Sequence, residues 1–336
     1  MFQRLLPALC LSLSVSSAWA QADTPAVEAE AVAVAVAEKI LVVGQRPGPG
    51  LWKVTKDDHV LWVFGTYSPL PEKMEWRSQQ VEAILAQSQE YLTPPRTKAS
   101  VGFFQGLSML PSLFGLKKNP DGATLQDVLP ADVYARWQPL KAKYLGDNDG
   151  IERERPIFAA ETLFNAGLRY AGLSKDGEVS RKIDGIVKQH KLKVTKTDIQ
   201  LTMDDPSKLL KDYKKSQLAD GVCFAKTLAR LESDIDAMRV RANAWAKGDL
   251  EGLQKLSYVD QESECRDAMR NADFVKSQPG FQNVKERAQA AWLASAEKAL
   301  AVNASTFATL SLANILDPQG YLAMLKAKGY QVETPD

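Results

Sequence analysis

The sequence predicts an α/β (α+β) fold in which a small mixed sheet, built from the N- and C-terminal segments, surrounds a large helical middle. Three observations lead there. Short runs with strand character gather near both ends, at 51–54, 60–65, 305–310 and 330–333. Between them, apolar residues recur mostly at helical spacing. Prolines and glycines divide that middle into helices of ordinary length. Strands at both ends can share a sheet only if the chain returns to its start.

Residues 1–20 read as a secretory signal peptide. Arg4 follows Met1, an apolar run covers 5–15, and Ala18-Trp19-Ala20 matches an A-x-A cleavage pattern before Gln21. The run is too short for a stable membrane span, so a periplasmic or secreted protein is expected. Residues 21–39, mostly Ala, Val and Glu, read as a flexible linker. Residues 40–336 are then a single domain. Within it, residues 40–43 read as an edge strand, and Pro47-Gly48-Pro49-Gly50 as a turn.

The strands at 51–54 and 60–65 form a hairpin across Lys56-Asp57-Asp58. From Trp76 the period becomes helical, with Val81, Ile84, Leu85 and Ser88 on one face. Tyr91-Leu92-Thr93 is a short strand stopped by Pro94-Pro95. In the middle, residues 192–197 are the one segment that reads as a strand. The longest periodic stretch, 218–247, places Leu228, Leu231, Ile235, Met238 and Ala242 on a single amphipathic helix that stops at Gly248. A helix at 281–301, a strand at 305–310, a helix at 318–328 and a strand at 330–333 complete the chain.

The chain has 336 residues, with 42 Lys plus Arg against 41 Asp plus Glu. That balance supplies no global field for nucleic acid, which is excluded as a partner. Once the leader is removed, Cys223 and Cys265 remain, and in an oxidising compartment they can pair in only one intramolecular way. A disulfide joining two helices is expected. Zinc is disfavoured, because neither cysteine has a neighbouring Cys or His.

Leu51-Trp52-Lys53-Val54 and Leu61-Trp62-Val63-Phe64-Gly65-Thr66-Tyr67-Ser68 stand at one end of the chain. Residues 307–314, Gly320-Tyr321 and Gly329-Tyr330-Gln331-Val332 stand at the other. In order and separation these segments resemble the TraB/GumN family, whose relatives include the TIKI metallopeptidases. The resemblance implies Gly-Thr-x-His in the first segment, Gly-x-x-His in the last, and a carboxylate after the first helix. Here those positions hold Ser68, Asn314 and Pro94. It also implies Arg-Asn ahead of a tryptophan, where this chain has Arg287, Ala288 and Trp292.

A hydrolytic divalent site needs about three His, Asp, Glu or Cys ligands and an open position for water. Gly65, Thr66, Ser68, Pro94, Arg287 and Asn314 therefore form a degenerate site, with no catalytic residue and no metal or other cofactor expected. The two histidines do not rebuild it: His59 reads as a turn residue and His190 as a helix end. Ser68 lacks a Gly-x-Ser-x-Gly elbow. Glu152, Glu154, Glu161, Asp234 and Asp236 read as solvated or ion-paired, with Arg153 and Arg155 as partners. Arg287 reads as a surface ion pair with Glu286 or Glu297, or as a carboxylate clamp in a cleft. Trp52, Trp62, Trp76 and Trp245 read as core or cleft wall.

The expected function is that of an exported binding or envelope-associated protein, a pseudoenzyme whose ligand is a peptide, a polymer or a protein. The alternative is a divalent-metal-dependent peptidase-like hydrolase with a rearranged site.

Overall fold

Leu51–Lys56 (β1) and His59–Thr66 (β2) pair antiparallel in full register from Leu51↔Phe64 to Lys56↔His59, and Asp57 takes φ 54° in the turn. The computed structural model describes residues 50–335 apart from 75, 101–105, 107, 108, 112, 176, 217–219, 256–264 and 266–268. The expected leader, linker and edge strand at 40–43 lie outside the described residues.

The remaining strands are Leu70–Pro71 (β3), Glu90–Leu92 (β4), Thr97–Ala99 (β5), Leu173–Ser174 (β6), Lys193–Thr195 (β7), Ile199–Leu201 (β8), Ser305–Ser311 (β9) and Gln331–Glu333 (β10). The main sheet has the order β10-β1-β2-β9-β4-β7. β2, β9, β4 and β7 run parallel, while β1 is antiparallel to both of its neighbours. The mixed sheet is thus built from both ends of the chain, with one strand, β7, donated by the middle. β5 pairs with β8, and β3 with β6, in separate two-stranded ladders that the sequence reading did not anticipate.

The helices include α1 (Gln79–Gln87), α2 (Ala131–Tyr144), α3 (Pro156–Tyr170), α4 (Glu178–Gln189), α5 (Pro206–Lys215), α6 (Gly221–Ser233), α7 (Ile235–Ala246), α8 (Val284–Val302), α9 (Leu312–Leu316) and α10 (Tyr321–Ala327), with other short helical segments between them. β9 is buried at every position from Thr306 to Leu310, as a strand covered on both faces must be. On one face Phe64 and Phe307 stack at 6.3 Å, and Phe64 also meets Trp76 at 5.5 Å and Trp245 at 6.3 Å. By the period of two, His59, Leu61 and Val63 point the other way. There the Nδ1 of His59 lies 2.6 Å from the Leu300 carbonyl, which puts α8 on that face. His59 is accordingly a strand residue tied to a helix, not a solvated turn.

A second cluster lies among the helices, where Trp137, Leu163, Phe164, Phe224, Leu228 and Leu231 pack together. The stretch expected as one helix at 218–247 is two, broken at Asp234 (φ −111°, ψ −2°). The break accompanies a change of core. Leu228, Leu231 and Met238 belong to the helical cluster, whereas Ala242, Trp245 and Ala246 further along α7 belong to the sheet cluster, and one straight helix over 218–247 would not turn a single apolar stripe toward both.

Candidate functional site

In parallel α/β sheets ligands gather beyond the carboxyl ends of the strands, because the connecting loops converge there. The register defines that edge: Thr66 at the end of β2 opposes Ser311 at the end of β9, and Leu92 at the end of β4 opposes Ala308. Ser68 follows β2, Pro94 follows β4, and Asn314 lies in α9 directly after β9. Three sequence-distant positions therefore leave the sheet at the same edge.

Each is held by local geometry. Gly65 has no room for a side chain, since a Cβ would stand 2.6 Å from Leu312 and 2.9 Å from Trp52. Its carbonyl accepts the indole N–H of Trp245 at 3.0 Å. Thr66 donates its hydroxyl to the Leu310 carbonyl at 3.2 Å. Ser68 is exposed and precedes Pro69 through a cis peptide bond. The Ser311 hydroxyl caps α9 by accepting the Asn314 backbone N–H at 3.2 Å.

Pro94 sits where the β4–β7 ladder stops, and it has no N–H with which to extend a ladder. Thr93 and Thr197 close the gap: the Thr197 hydroxyl donates to the Thr93 carbonyl at 2.8 Å, and the Thr197 N–H donates to the Thr93 hydroxyl at 3.2 Å. Beyond this break the two segments pair again as β5–β8, which extends the surface past the edge of the main sheet.

Arg287 was expected as an ion pair with Glu286 or Glu297, or as a carboxylate clamp. Instead its guanidinium donates to two backbone carbonyls, Gly280 at 2.7 Å and Gln200 in β8 at 2.8 Å. Glu297 pairs with Lys328 at 2.8 Å. A fork of fixed N–H donors suits two carbonyls from separate segments. The contact is tight enough that a Cβ on Gly280 would stand 1.9 Å from the Thr202 carbonyl oxygen.

The wall braced in this way borders a cleft of about 600 Å³, lined by Thr97 of β5, Leu201 of β8, Ile157 and Phe164 of α3, and Phe281 and Val284 near the start of α8. Glu161, Lys175 and Arg270 also line it. Such a volume with mostly apolar walls and a few charges is of the kind that holds ligands. Cys265 is a lining residue too, and it is disulfide-bonded to buried Cys223 of α6 with Cα atoms 4.7 Å apart.

A buried polar network lies beside the strand ends. Asp234 accepts both guanidinium arms of Arg241, at 2.9 and 3.1 Å, and lies 3.5 Å from the Nε of Arg230. Arg230 stacks over Phe164 of the cleft with its Cζ 4.9 Å from the ring centroid. Burial works against the charge on Arg241, but Asp234 and then Tyr67 outweigh it and hold the guanidinium above its ordinary value. This group was not legible in advance. Asp234 looked like any helical carboxylate, and only the break between α6 and α7 buries it.

The other acidic candidates are dispersed. Glu152 accepts the Trp137 indole N–H at 3.0 Å and pairs with Lys141 at 3.1 Å. Glu154 lies 3.9 Å from Lys118, and Asp236 pairs with Arg239 at 2.9 Å. Arg155 partners none of them. It is buried and donates to the carbonyls of Lys118, Tyr213, Lys214 and Ser216, closing the C-terminal end of α5. Trp52, Trp76 and Trp245 are core, and Trp62 is half-buried against it.

The residues present do not fit a divalent metal. Serine hydroxyl and amide oxygen are weak ligands for borderline ions, and proline offers no side-chain donor. Among the described residues no group of three or more His, Cys, Asp or Glu could hold a metal ion.

No curated protein and no solved structure matches the chain. A family model does match, over residues 50–334, which covers every strand and helix described above. The chain belongs to the TraB/PrgY/gumN family.

Proposed function

We propose that this protein is an exported, non-catalytic binding or envelope-associated member of its family, in which the frame of a metallohydrolase-type site is kept and its ligands are gone. Residues 1–20 serve as the export leader, 21–39 as a tether and 40–336 as the binding domain. The observation that carries the reading is the donor set: Ser68, Pro94 and Asn314 follow the ends of three parallel strands, and none offers imidazole or carboxylate. The cleft braced by Arg287 is the binding site, and its ligand is an apolar stretch of a peptide, a polymer or a protein.

Elemental analysis of the purified chain, combined with peptide cleavage assays with added Mn, Co or Zn, tests the loss of chemistry. Neither stoichiometric metal nor metal-stimulated turnover is expected. Bound metal, with turnover lost on chelation and regained on adding the ion back, would establish the hydrolase instead.

A further inference from the structure

Nine large hydrophobic side chains stand exposed among the described residues, and six of them are scattered singly. Isolated cases of that kind need no explanation. Leu110, Leu113 and Phe114 differ, since they fall within one short stretch and are 52%, 47% and 80% exposed. The stretch is held in place. Lys214 of α5 donates its ammonium to the Phe114 carbonyl at 2.7 Å, and the Leu116 and Lys118 N–H groups donate back to Leu113 and Gly115 at 3.2 and 2.9 Å. Gly115, at φ +73°, allows the turn that leaves Phe114 at its tip.

Basic side chains frame this tip. Lys117 and Lys118 follow it, and Lys211, Lys214 and Lys215 lie on the last turns of the helix that anchors it. Asp212 is engaged by Lys208 at 2.6 Å, whereas Lys211 and Lys215 form no ion pair among the described residues. The chain as a whole is nearly neutral, at +1, so this basic frame is a local arrangement.

We infer that the tip around Leu110, Leu113 and Phe114 is a peripheral docking surface for a bilayer rich in anionic headgroups. The aromatic and leucine side chains enter the headgroup–acyl boundary while the lysines lie along the phosphates, each with its aliphatic stem on apolar surface and its ammonium in the charged layer. Flexible lysines match a diffuse array of headgroups better than a fixed set of carboxylates on a protein. Docking is peripheral, since no helix among the described residues is long and apolar enough to cross a membrane.

Sedimentation of the full chain with phosphatidylcholine vesicles, and with vesicles of phosphatidylcholine and phosphatidylglycerol in equal parts, tests this. All proteins compared are full-length and differ only at the tip or on α5, so the apolar run at 5–15 contributes equally to each. Binding to the anionic vesicles should fall roughly tenfold or more for Leu113→Ser with Phe114→Ser. For Lys211→Glu and Lys215→Glu it should fall roughly fivefold per lysine on anionic vesicles only. If the double serine variant loses its native circular dichroism, Phe114→Ser alone reads the same effect at the most exposed position. Equal partitioning of wild type and tip variants on both vesicle types would overturn the proposal. So would unchanged vesicle binding accompanied by a loss of self-association in sedimentation velocity, which would make the tip a protein contact.

Discussion

The Thr66 hydroxyl donates to the Leu310 carbonyl at 3.2 Å across 244 residues of sequence. This bond lies at the end of the parallel β2–β9 ladder, one step before the chain leaves the sheet toward Ser68 on one side and Asn314 on the other. The strands that lead to Ser68 and Asn314 are in register, and neither side chain beyond them is an imidazole or a carboxylate.

Replacing Ser68 and Asn314 together by histidine should create weak zinc affinity and little or no peptide turnover. Two imidazoles would then stand at the same sheet edge, but Pro94 still offers no third ligand. Calorimetric zinc titration and a peptide cleavage assay check both halves, and efficient turnover by the double variant would show that Pro94 is not at a ligand position.

Arg287→Lys should be nearly as damaging as Arg287→Ala. An ammonium cannot serve the Gly280 and Gln200 carbonyls in the geometry of a planar fork, so each variant should lose about 1–3 kcal/mol. Urea unfolding measures the loss. Binding of an anionic apolar dye such as anilinonaphthalene sulfonate reports whether the cleft wall at Leu201 and Phe281 loosens with it.

Asp234→Ala should destabilise the protein by about 3–5 kcal/mol, because it leaves Arg230 and Arg241, 2% and 3% exposed, without the carboxylate between them. Glu161→Ala, at an exposed position on α3, should change stability by less than about 0.5 kcal/mol. Comparing the two by chemical denaturation separates a buried charge from a surface one.

Glu90 gives the acid response a defined sign. Burial raises its pKa, but hydrogen bonds from Thr195, Asn303 and Lys193 outweigh that and hold it below the ordinary carboxylate value. A depressed folded value means that its stabilisation is fully present above the unfolded value of about 4.3, and is lost as pH falls through the folded value. Glu90→Gln should therefore narrow the gap to wild type as the medium is acidified below about pH 4. Unfolding free energies across that range test the sign, and a gap that widens on acidification would refute it.

Reduction of Cys223–Cys265, which closes a separation of 42 residues, should cost about 3–4 kcal/mol. It should also weaken dye binding in the cleft that Cys265 lines. Denaturation with and without reductant, with thiol labelling to confirm the redox state, decides both.

The sequence by itself determined the elements whose signals are local. The hairpin of β1 and β2, the face of α1 carrying Val81 and Leu85, the strand β9 and the closing α10–β10 unit follow from periods of two and 3.6 and from nearby breakers, within a few residues of where they lie. The order of the end segments also carried the family, and, with Cys10 assigned to the expected leader, Cys223 and Cys265 had one pairing to make. Tertiary structure decided whatever depends on which surface a residue meets. An apparently continuous helix breaks at Asp234 and then passes from one core to the other between Met238 and Ala242, and no period within 218–247 encodes that. Arg287 and Arg155 bind backbone carbonyls, and a guanidinium in a sequence looks the same whether its partner will be a carboxylate or a chain end. The β5–β8 ladder has three residues per strand, too few for a periodic signal, and it exists because the Thr93–Thr197 contacts hold two distant segments side by side past Pro94. The cleft is made of those segments. Its walls come from residues more than 180 positions apart, such as Thr97 and Val284, and only the folded chain brings them together.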